Sequence, residues 1–149
     1  LVCGAMLGGA DAGLLEGLER VGRSVGLAYQ LRDDLIGLFG DAAVAGKASD
    51  GDFVQAKRTF PVVAAYVRAT PEGREELEQL WALPVECKDD AALARARELV
   101  EHFGGRAACE RAVERASRSA RRSLAALPNP HGLRDLLDSL ITRLSRRAS

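Results

Sequence analysis

The chain is expected to be all-α, and three observations predict it. Hydrophobic residues make up 47% of the sequence but aromatics only 5%, with Val, Ile and Thr sparse and the helix formers Ala, Leu, Glu and Arg dominating the second half. Apolar residues recur at intervals of three and four rather than two. The five prolines, at positions 61, 71, 84, 128 and 130, punctuate segments instead of interrupting long apolar patterns. A length of 149 residues fits one domain with a real hydrophobic core.

The elements follow in order. Asp11 is a plausible N-cap for a long helix from about residue 11 to 39, carried by Leu14, Leu15, Leu18, Val21, Val25, Tyr29 and Leu35 and stopped by Gly40. Gly22 and Gly26 inside it each cost about 1 kcal/mol against Ala, which suggests a close approach by a helix or ligand. Residues 40–52 read as a polar loop. A second helix is expected from Asp52 to Arg68, with a possible break at Pro61. Thr70 as N-cap and Pro71 at the first helical position open the next, which buries Leu77, Leu80 and Trp81. A helix from about Asp90 aligns Leu93, Ala96, Leu99, Val100 and Phe103 and ends at Gly104-Gly105. Residues 106–127 place Cys109, Ala112, Val113, Ala116, Ala120, Leu124 and Leu127 opposite an Arg-rich face. The last helix gathers Leu133, Leu136, Leu137, Leu140, Ile141 and Leu144. No alternating strand pattern and no repeat appears.

Composition excludes several function classes. Net charge is zero, and although residues 105–149 hold ten Arg against four acids, no aromatic interleaving accompanies them; the reading is a solvated face and no nucleic-acid partner. Cys3, Cys87 and Cys109 are an odd, widely spaced set, which argues against a disulfide framework or a zinc site and for a reduced, cytoplasmic setting. No stretch approaches the ~20 apolar residues of a transmembrane span. His102 and His131 have no nucleophile or ligand partner nearby in sequence, and Trp81 reads as a packing residue. The chain begins with Leu1 in mid-pattern and is read as a segment of something longer.

The chemistry concentrates in residues 26–59. Gln30, Asp33, Asp34 and Gly37 are spaced to share one side of the first long helix near its C-terminal end. Two adjacent carboxylates there repel each other and sit at the negative end of the helix dipole, so a cation is expected to offset them. A solvated acidic pair is the bland alternative; the flanking Leu31, Leu35 and Ile36 make an ordinary charged surface a poor description. The chain has 18 Arg and only three Lys, and two of those three, Lys47 and Lys57, fall in this window, with Arg58 following. Hard carboxylate oxygens suit Mg²⁺, which keeps waters and bridges to substrate phosphates, and compact ammonium charges suit the same phosphate oxygens. The combination reads as a metal-assisted diphosphate site.

The run Gly26-Leu27-Ala28-Tyr29-Gln30-Leu31-Arg32-Asp33-Asp34-Leu35-Ile36-Gly37-Leu38-Phe39-Gly40-Asp41, continued by Gly46-Lys47, Asp52 and Lys57-Arg58-Thr59, resembles the second aspartate-rich region of trans-isoprenyl diphosphate synthases, the group of the farnesyl and geranylgeranyl enzymes. The match is specific over residues 26–62. It implies the C-terminal part of an isoprenoid synthase fold, a helical bundle, and condensation of isopentenyl diphosphate with an allylic prenyl diphosphate. On that resemblance Asp33 and Asp34 would be the metal ligands, Asp33 directly and Asp34 through water. Tyr29 and Gln30 would line the allylic pocket, and Lys47, Lys57 and Arg58 would hold the diphosphate. Asp33, Asp34 and Lys47 are then the residues that carry the chemistry.

Two departures qualify the match. The usual motif ends DDxxD, whereas position 37 is Gly. The family's first aspartate-rich motif, its adjacent Arg pair and its isopentenyl diphosphate-binding residues have no counterpart in these 149 residues, so the chain is not expected to complete the reaction alone. Apolar surface left uncovered would make it a homo-oligomer or have it associate with a missing N-terminal half. The alternatives are a non-catalytic partner or regulatory subunit of an intact synthase, and a terpene synthase-like enzyme, whose usual Asn/Ser/Glu motif is not seen.

Overall fold

The computed structural model describes residues 1–40, 51–128 and 132–146, with side chains through residue 142; among these the regular structure is entirely helical, as the apolar periodicity predicts. The helices are α1 (Val2–Leu7), α2 (Ala12–Phe39), α3 (Gly51–Val54), α4 (Phe60–Arg68), α5 (Pro71–Ala82), α6 (Asp90–His102), α7 (Gly105–Ala125) and α8 (Leu133–Arg146), with a 3-10 turn at Val85–Cys87. No described helix is long and apolar enough to cross a membrane. The chain forms two compact units, residues 1–30 with 112–149 and residues 31–111, and the long helices α2 and α7 each contribute to both.

The Asp11 and Thr70 start signals read from the sequence are realised atom by atom, and Asp89 adds a third cap that the sequence reading did not name. Asp11 Oδ1 accepts the Leu14 N–H at 2.8 Å, Thr70 Oγ1 accepts Gly73 N–H at 3.2 Å, and Asp89 Oδ1 accepts Ala92 N–H at 2.9 Å. Each satisfies a donor that the first helical turn leaves unpaired, worth about 1 kcal/mol.

In the unit built from residues 1–30 and 112–149, Leu18 and Val21 of α2 pack with Ala120, Leu124 and Leu127 and with Leu137 and Ile141 of α8. Ser24 Oγ donates to Ser119 Oγ at 3.2 Å beside this apolar seam. The last helix is less uniform than its sequence suggests. Leu137 and Ile141 are buried and Leu133 packs against them, while Leu136 and Leu140 are 62% and 45% exposed. One helical step of 100° separates the two rows, and only the row at 133, 137 and 141 faces the seam. No described helix approaches closely at Gly22 or Gly26: a Cβ at Gly22 would make ordinary contact with Leu1, and one at Gly26 would meet no described atom within 4 Å.

In the unit of residues 31–111, α4 packs on α6, and α5 packs on both. The core joins Leu38, Phe53, Val62, Ala65, Leu77, Trp81, Leu93, Ala96, Leu99 and Val100. Phe53 is fully buried and meets Trp81 edge-to-face, ring centroids 5.1 Å apart. The helix expected from Asp52 to Arg68 is two helices, and the break falls at residues 55–59 rather than at Pro61. Pro61 instead sits in the first turn of α4, where its missing N–H costs nothing. The break is a Schellman turn: Lys57 N–H bonds to Asp52 C=O at 2.8 Å, Ala56 N–H bonds to Phe53 C=O at 2.9 Å, and Ala56 takes φ 54°. An alanine therefore occupies a left-handed position that normally favours glycine.

Candidate functional site

The adjacent carboxylates of α2 have different fates. Successive helical residues are 100° apart, so one of a neighbouring pair can turn inward while the other stays out. Asp33 is exposed and Asp34 is 9% exposed. Asp34 Oδ2 accepts the N–H of Phe60 at 3.0 Å, the first residue of α4. The preceding N-cap, Thr59, makes no side-chain cap bond, so the carboxylate arriving from α2 supplies it, with its charge on the positive end of the α4 dipole. The Thr59 hydroxyl itself is buried without a hydrogen-bond partner.

The C-terminal carbonyls of α2 are met by an arginine from α6. Arg97 donates through Nε to Leu38 C=O and through Nη2 to Gly40 C=O at 3.5 Å, satisfying terminal carbonyls with a positive charge. The buried Cys109 thiol donates to Leu31 C=O at 3.2 Å; burial, reinforced by Asp34 and Glu110, pushes it up to about 12, so it is an inert structural thiol.

Lys57 stands just past the Schellman turn, between helices and not at the start of one. Its Nζ donates to Asp52 Oδ1 at 2.8 Å. That hydrogen bond, with the charges of Asp52, Asp33 and Asp34, raises the Lys57 pKa above its ordinary value. Its backbone is pinned independently, because Trp81 Nε1 donates to Lys57 C=O at 2.9 Å. Behind the turn, buried Lys88 donates to Phe53 C=O at 2.9 Å and to Val54 C=O at 3.4 Å, capping α3, with its ammonium 5.2 Å from the Phe53 ring centroid. Trp81 thus does more than pack, and Lys88 is an anchor for which the sequence has no local signal.

Gly37 is where the acidic motif lacks its last carboxylate. A Cβ there would collide with the carboxylate of Asp52, coming within 2.8 Å of its Cγ. Asp52, quoted in the motif but given no chemical role from the sequence, fills the space beside α2 that a side chain at 37 would take.

The sequence-predicted residues therefore sort clearly. Asp33, Asp34 and Lys57 share one electrostatic neighbourhood, with Asp52 added. Arg58 is exposed, and its charge reaches the Tyr66 phenol. Tyr29 and Gln30 are exposed on the preceding turn of α2. Lys47 and His131 lie outside the described residues. Among the described residues no group of three or more His, Cys, Asp or Glu side chains could cage a metal ion. A divalent ion that keeps its waters and is shared with phosphate needs only one or two carboxylates, and the exposed Asp33 fits that requirement.

The sequence profile of the polyprenyl synthetase family matches residues 1–100. The geranylgeranyl diphosphate synthase of Mycobacterium tuberculosis is 37% identical over 142 residues, 94% of this chain and 39% of that protein. A (2E,6E)-farnesyl diphosphate synthase from the same organism is 36% identical over 106 residues, 69% of this chain and 29% of that protein. The chain thus spans well under half the length of these relatives. Among solved structures, geranylgeranyl pyrophosphate synthase from Corynebacterium glutamicum, complexed with isoprenyl diphosphate and magnesium, is similar with a TM-score of 0.87 at 29% identity, covering 97% of this chain and 40% of that one. Polyprenyl synthase from Caulobacter crescentus, complexed with calcium and isoprenyl diphosphate, gives 0.85 at 31% identity, covering 99% and 44%.

Proposed function

The chain belongs to the polyprenyl synthetase family, and from that premise we propose that it carries the second, diphosphate-binding half-site of a prenyl transferase. The reaction is condensation of isopentenyl diphosphate with an allylic prenyl diphosphate. The observation that carries this reading is the exposed Asp33 carboxylate near the end of α2, in the electrostatic neighbourhood of the Lys57 ammonium, whose backbone Trp81 pins and whose side chain Asp52 holds.

In this reading Asp33 holds Mg²⁺ directly and Asp34 supports it from behind through water, its own position fixed by the Phe60 N–H. Lys57, Arg58 and Lys47 neutralise the diphosphate oxygens. When bound, the metal supplies Lewis-acid stabilisation of the negative charge that grows on the leaving diphosphate. The protein's share is to hold its cations ready before ionisation, so that no reorganisation is needed as charge builds. Tyr29 and Gln30 border the allylic end. The exposed Phe60, Val63 and Val67 of α4 support self-association, which a clean monomer in light scattering would refute.

Titration calorimetry with a non-hydrolysable prenyl diphosphate analogue tests the site. Binding is expected to require Mg²⁺ and to weaken at least tenfold in Asp33→Ala. Binding that ignores the metal, or none at all, would overturn the proposal and put a non-catalytic interaction subunit in its place.

A further inference from the structure

We propose that Asp52 is a positioning residue for Lys57, and that Gly37 exists in this chain to seat it. The idea rests on the diphosphate-site reading above, but its structural half can be tested separately.

Three independent observations converge on the pair. First, the Asp52 carboxylate lies against α2 where Gly37 has no side chain; any Cβ at 37 would displace it. Second, the same carboxylate takes the Lys57 ammonium at 2.8 Å, and the Asp52 side chain is only 17% exposed against 54% for Lys57, so the acid is the seated partner and the lysine the projecting one. Third, the Schellman turn folds the backbone of Lys57 back onto that of Asp52, with N–H to C=O at 2.8 Å, so both ends of the lysine are referred to one residue.

The acidic group missing from the helical motif at position 37 is thus supplied from α3. Its task differs from that of a metal ligand. Asp52 fixes where Lys57 presents its charge and restricts the rotamers of a long, flexible side chain before an anion arrives. Ordering costs that would otherwise fall on the binding step are met in the folded chain.

Two double-mutant cycles test this. In the binding cycle, Mg²⁺-dependent affinity for the prenyl diphosphate analogue is measured for wild type, Asp52→Asn, Lys57→Ala and the double variant. Asp52→Asn, nearly isosteric, is expected to weaken binding about fivefold to tenfold when Lys57 is present and not at all when it is Ala. An unchanged affinity in Asp52→Asn overturns the proposal; so does an equal loss in both backgrounds, which would make Asp52 act on the metal or ligand directly. In the melting cycle, Gly37→Ala is expected to lower Tm in wild type and to raise it in an Asp52→Gly background, where only the better helix propensity of Ala remains. The same sign in both backgrounds refutes the seat. If wild type fails to bind the analogue, the function proposed above falls, while the melting cycle still decides whether Gly37 seats Asp52.

Discussion

Residues 31–111 and the unit of residues 1–30 with 112–149 solve the same helical packing problem by different means. The second is held by an apolar seam running along long helices, with Ser24–Ser119 and the exposed Arg121–Asp138 pair as polar accompaniments. The first holds two short helices and an irregular connection in place with side chains that bond to backbone: Asp34 to Phe60, Trp81 to Lys57, Lys88 to Phe53 and Arg97 to Leu38. A four-residue helix such as α3 has no intrinsic stability in water. It persists because Phe53 is inserted into the core and Lys88 caps its carbonyls. The lesson is that the site-bearing region takes its precision from polar anchoring of non-helical backbone, whereas in the other region such anchors sit at helix ends, Asp11 on Leu14 and Arg134 on Ala125.

The sharpest way to break this contrast is to cut one apolar anchor in each. Phe53→Ala should cost about 3–5 kcal/mol in chemical denaturation and should also remove Mg²⁺-dependent ligand binding, because the Asp52–Lys57 turn loses its plug. Leu124→Ala, similarly buried, should cost about 2–5 kcal/mol while the folded fraction binds as wild type does. Equal effects on binding would erase the distinction between the regions.

A smaller effect tests the polar anchors themselves. Lys88→Met keeps the apolar stem but leaves the Phe53 and Val54 carbonyls without their donor, a loss of about 1–3 kcal/mol readable in urea melts. A neutral result would mean that packing alone holds α3. The smallest expected change is a gain. Ala56→Gly relieves a left-handed alanine at the Schellman position and should stabilise by up to about 1 kcal/mol in the same assay. A loss there would show that the turn does not need the left-handed conformation.

Much of the fold was legible from residue order because its signals are local. Helix α2 begins and ends within a residue of the Asp11 and Gly40 signals, and the Thr70 cap makes the predicted bond. Those features depend on neighbours three or four positions away, which the sequence displays directly. The resemblance over residues 26–62 likewise named Asp33, Asp34 and Lys57 before any geometry was known, and family membership follows from the match over residues 1–100.

What tertiary structure decided lies at longer range. That Asp34 faces inward to cap α4 depends on a partner 26 residues away, and that Lys88 reaches α3 depends on one 35 away. Adjacent aspartates look identical in sequence; which one points at solvent is set by where α4 begins in space. The break at residues 55–59 escaped helical periodicity because a buried Phe53 and the Trp81 bond to Lys57 outweigh the helical propensity of Gln55, Ala56, Lys57 and Arg58. The role of Gly37 was invisible for the same reason: a glycine shows what is absent, and only the fold brings the Asp52 carboxylate into the space it leaves.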